Sequence, residues 1–99
     1  MILISTIQNP PESGKEMVRR SMQLPHLPEF IKTKGPYTKG VVGEGMKTMT
    51  VYEFEDSKFG EAINYINKSL GVFQGVPGFT CSVELWLRAK DVYETAGLI

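Results

Sequence analysis

The stretch Phe79-Thr80-Cys81-Ser82-Val83-Glu84-Leu85-Trp86-Leu87 changes character at every step. Successive side chains of a β-strand point to opposite faces of its sheet. Phe79, Cys81, Val83, Leu85 and Leu87 therefore form one row, and Thr80, Ser82, Glu84 and Trp86 the other. The first row is wholly apolar and belongs on a core, with Cys81 read as a buried small hydrophobe. The second combines hydroxyls, a carboxylate and an indole, too wet for a dry interior and too aromatic for open water.

Working outward, Gly75, Pro77 and Gly78 turn the chain into this strand from a helix whose apolar stripe is Phe59, Ala62, Ile63, Ile66, Leu70 and Phe73. Asp56 or Ser57 is placed to cap it. Lys47 to Glu55 alternates again: Thr48, Thr50, Tyr52 and Phe54 lie on one face, Met49 and Val51 on the other. Tyr37 to Met46 alternates more loosely, interrupted by Gly40, Gly43 and Gly45, and is expected to pair with it through a turn near Gly45 to Lys47. Glu29 to Lys34 shows no clear period and stays unassigned. Ile2 to Gln8 is a β-branched strand stopped by Asn9-Pro10-Pro11. Ser13 and Glu16 then have the spacing of a reciprocal helix cap, with Gly14, Met17, Val18, Ser21 and Leu24 at helical intervals to about Gln23. Lys90 to Ala96 reads as a short closing helix.

The order is strand, helix, strand, strand, helix, strand. It predicts one α+β domain over residues 1–99, a ferredoxin-like βαββαβ fold with a four-stranded antiparallel sheet, two helices on one face and a short C-terminal helix. If the second helix covers Met49, Val51, Cys81, Val83 and Leu85, the helix-free face carries Thr48, Thr50, Tyr52, Phe54, Thr80, Ser82, Glu84 and Trp86. Three large aromatics left bare would be an exposed patch unusual for a monomer, and a two-fold pairing with a second copy covers it with one self-complementary surface. This layout, with the Val76-Pro77-Gly78-Phe79 approach to the last strand and the terminal Asp91-Val92-Tyr93 helix, resembles the dimeric α/β-barrel superfamily over Ile2 to Leu98. The resemblance implies sheet-to-sheet pairing of two ferredoxin-like subunits. It implies no single reaction, because that superfamily spans cofactor-independent monooxygenases, isomerases, dehydratases and haem-dependent enzymes. None of their catalytic residue sets maps onto this chain.

Eleven basic and eleven acidic residues give zero net charge, which supplies no field to attract nucleic acid or an anionic membrane. Arg19 with Arg20, and the spaced set Lys32, Lys34 and Lys39, read as solvated surface. No segment has the run of roughly 20 apolar residues of a membrane helix. The opening residues lack the pattern of a secretion signal, and the single cysteine fits a reducing compartment, so a cytoplasmic location is expected.

Candidate chemistry is sparse. Glu84, between Ser82 and Trp86, is placed to act as a desolvated base or to pair with Arg88 or a cross-strand lysine. His26, the only histidine, sits between Pro25 and Pro28, as an acid–base group, a haem ligand or an ordinary loop residue. Tyr52, Trp86, Tyr37 and Phe54 are candidate ligand walls, or simply core and interface. No clustered ligand set points to a metal, and no cofactor is implied. The expectation is a homodimer binding a small, partly apolar molecule beside its sheet. A cofactor-independent monooxygenase- or isomerase-like enzyme and a purely structural assembly subunit are the alternatives.

Overall fold

Ile2–Asn9 forms β1 because its β-branched side chains suit a pleated surface, and the proline pair that follows ends it. The computed structural model describes residues 1–99. A 3-10 turn over Pro11–Ser13 leads into α1, Gly14–Ser21. The expected reciprocal cap is not made. Ser13 Oγ donates instead to the carbonyl of Pro77, and Glu16 accepts from both Arg19 and Arg20. Arg20 also donates to the carbonyls of Val72 and Gln74, so α1 is tied to the connection that precedes the last strand.

The hairpin consists of β2, Lys32–Val41, and β3, Gly45–Glu53, joined by a turn over Val42 to Glu44. The polar start of β2 thus includes part of the segment that showed no period in the sequence. A 3-10 turn over Asp56–Lys58 precedes α2, Phe59–Gly71; β4 is Thr80–Trp86 and α3 is Ala89–Thr95. All strand pairs are antiparallel and the sheet order is β2-β3-β1-β4.

The core has two parts. Leu3, Ile31, Tyr52, Phe54, Ala62 and Ile66 form one, and Met17, Phe73 and Val76, backed by Ile7 and Phe79, form the other. Leu3 meets α2 and Ile7 meets the α1 cluster, and both point to the same side of β1. These two helices, α1 and α2, therefore cover one face, and neither lies on the other.

Register decides which residues share a face. Leu3 is opposite both Tyr52 and Leu85, while Ile4 is opposite both Val51 and Glu84. Glu84 and Trp86 accordingly lie on the helix-free face, as their alternation predicts. For β3 the expected assignment is inverted. Tyr52 and Phe54 are buried under α2, Tyr52 meeting Tyr65 edge-on at 6.5 Å between centroids, while Met49 and Val51 face outward. The larger rings bury more apolar area than Met and Val, and a one-residue choice of face turns a whole strand over. Cys81 also departs from expectation. It points to the helix side but is exposed, as is Leu85 on the same side of this edge strand.

Two glycines fix one corner. Gly45, at φ 107°, leaves no room for a Cβ beside the carbonyl oxygen of Asn9, and Gly78, at φ 73°, packs against the ring of Pro10. The starts of β3 and β4 thereby close on the end of β1. In β2, the register passes from Lys34 opposite Val51 to Tyr37 opposite Met49, a bulge with one extra residue at Gly35-Pro36.

The chain measures 49 × 30 × 18 Å with a radius of gyration of 15.4 Å, against about 13 Å for a compact domain of this length. Its accessible surface is 6818 Å², whereas a compact monomer of 11.1 kDa exposes about 5,650 Å².

Candidate functional site

The helix-free face is set out by the strand pairings in four rows. Lys32, Glu53, Ile2 and Trp86 form the first, and Lys34, Val51, Ile4 and Glu84 the second. Tyr37, Met49, Thr6 and Ser82 form the third, and Lys39, Lys47, Gln8 and Thr80 the last. An apolar band of Ile2, Ile4, Val51 and Met49 runs down the middle strands. Trp86 and Tyr37 flank it on opposite edges, each more than half exposed.

Beyond the first row the chain makes two adjoining open recesses that share Met1 and Arg88. The first, about 560 Å³, lies between Ile2 and Trp86 on the sheet and Leu87, Asp91, Val92 and Ala96 at and within α3. The second, about 580 Å³, is more polar, with Lys32, Lys58 and Arg88 facing Glu29, Glu53 and Glu55 around Phe30 and Phe54. Both volumes fall in the range of roughly 300–1,000 Å³ that holds small organic ligands. A third groove, about 250 Å³, separates Met17 and Val18 of α1 from Thr48 and Met46 of the hairpin.

The expected site residues are dispersed. Trp86 lines the first recess and Phe54 the second. Tyr37 stands on the outer face two rows away from Trp86. Tyr52 is a core residue, not a wall of the open face; burial pushes its phenol above the ordinary value, opposed in part by the nearby hydroxyls of Ser5 and Thr50. Glu84 is exposed on the open face and lines none of the three recesses, and the same holds for His26 in its loop. The Glu84 to Arg88 pairing considered from the sequence is absent. Arg88 reaches Glu53 instead, at 3.8 Å, and Lys34 approaches the same carboxylate at 3.7 Å.

Sequence reasoning missed Arg88, Asp91 and Val92 as recess residues, because nothing in a short terminal helix indicates that it folds back beside the first row. It also missed Ile2, Ile4, Val51 and Met49 as the open face. Their signal was the strand alternation itself, once given the right parity. Every buried side-chain nitrogen or oxygen has a hydrogen-bond partner, and no three His, Cys, Asp or Glu side chains come together as a metal cluster. No helix is long and apolar enough to cross a membrane. The chain matches no protein-family model and no curated protein.

Proposed function

We propose that the chain works as a homodimer of ferredoxin-like subunits paired through their open sheet faces, in the manner of the dimeric α/β barrels. In this reading it binds a small, partly apolar molecule in the recess between Trp86 and α3. The observation that carries the proposal is the uncovered apolar band of Ile2, Ile4, Val51 and Met49 on a chain with surplus surface. The surplus over a compact monomer is about 1,150 Å², and each partner in a standard interface contributes about 800 Å².

The recess lining supports the class of ligand. Trp86, Leu87, Val92 and Ala96 supply an apolar and aromatic wall, and Arg88 stands where the two recesses meet. A flat ring with a carboxylate would stack on the indole and meet the guanidinium. Because the first-row residues Ile2 and Trp86 belong to the dimerising face, the second subunit would roof this recess and exclude water from it.

The test is sedimentation together with thermal shift in salicylate and mandelate, small acids that combine a ring with a carboxylate. A dimer at micromolar concentration whose Tm rises by a few degrees with either acid, and not in Trp86→Ala, is the expected result. A monomer throughout, or a dimer indifferent to both acids, overturns the dimer or the ligand reading respectively.

A further inference from the structure

Resting on the homodimer reading, we infer that the two-fold axis runs along the strands and sets Lys34 of one copy against Glu84 of the other, twice per dimer. Packed sheets align to within about 30°, so an in-plane two-fold has two choices, along the strands or across them. Along the strands, β2 of one copy lies over β4 of the other and each row faces itself. Lys34 then meets Glu84, Lys32 meets the ring of Trp86, and Val51 meets Ile4. Across the strands, β2 faces β2 and the first row faces the last. Lys32 then meets Lys39, and Glu84 is covered by Ser82 with no counter-charge.

Charges already spent inside the subunit decide between these choices. Glu53 has two cations, Lys34 and Arg88, within 4 Å, so it does not need Lys47 of a second copy. Glu84 takes part in none of the subunit's ion pairs. Covering a lone carboxylate is costly, and an ammonium group set against it offsets much of that cost. Only the axis along the strands gives Glu84 a cation, and the cation it gives is one of two sharing a single acid. A crossing angle of about 30° displaces the edge strands by about one residue, which a lysine side chain spans.

The same axis places Lys32 over Trp86, where an ammonium group on an indole face is favourable. The aromatic wall of each recess would therefore meet a cation from the other subunit, and the recess would be complete only in the dimer.

The test is a charge swap read by sedimentation equilibrium on the full chain. Lys34→Glu and Glu84→Lys should each weaken the dimer by about tenfold or more, and the double variant should return to within about threefold of the parent. Both side chains are exposed in the subunit, and circular dichroism checks that each variant folds. A double variant no tighter than the weaker single, or a rescue obtained instead by combining Glu53→Lys with Lys47→Glu, overturns the axis while the dimer stands. A parent that stays monomeric at about 100 μM overturns the homodimer itself.

Discussion

β3 and β4 both carry apolar side chains on both faces, yet the fold treats them differently. β3 is a central strand whose Tyr52 is sealed beneath α2, whereas β4 is an edge strand on which Leu85 is 53% exposed on the helix side and Trp86 52% exposed on the other. Cover is therefore a property of position in the sheet and not of composition. On one face the central strands obtain it from the chain's own helices; the edge strand β4 and the open face obtain little or none from them.

The difference is broken most severely at Ile66, the largest fully buried side chain. Ile66→Ala removes the contact that α2 makes with the covered face and should cost about 3 kcal/mol of stability in urea unfolding. A loss below 1 kcal/mol would mean that α2 is not what seals that face. Trp86→Ala should instead leave folding nearly unchanged and weaken the proposed dimer by about 2 kcal/mol, roughly thirtyfold in Kd. Equal loss of fold and no loss of association would place Trp86 with the core and end the contrast.

The smallest effect concerns α1. Hydrogen bonds from Arg19 and Arg20 hold the Glu16 carboxyl down at about 2, below its ordinary value near 4.5. A depressed folded-state value means that the Glu16 contribution is present above about pH 4.5 and is lost as pH falls through about 2. The urea midpoints of parent and Glu16→Gln should differ slightly at pH 6 and converge by pH 2. A gap that persists at pH 2 would show that Glu16 acts through something other than its charge.

Much of this arrangement was legible in the residues. The α2 stripe and the β4 alternation specify their elements because each has a single period and a clear stop. β3 was misread because both of its faces are apolar enough to be core, and only pairing with Leu3 decides that Tyr52 goes in. The beginning of β2 was obscured by Lys32 and Lys34, which are polar because they project away from the helices on an edge strand. The exposure of Cys81 goes with the place of β4 at the edge of the sheet, which its neighbours in sequence do not encode. The recess was invisible for a similar reason: it forms where α3 comes back beside Trp86, a tertiary meeting with no local motif.

The bulge at Gly35-Pro36 bears on how this chain tolerates changes of length. Lys34 and Tyr37 are three positions apart yet share a side, because the additional residue restores the alternation that an odd interval would break. Removing one residue there would yield a regular strand with every later side chain still on its present side. The same deletion two residues further on would turn Lys39 toward the helices, so Gly35-Pro36 is the place where β2 can shorten without turning over.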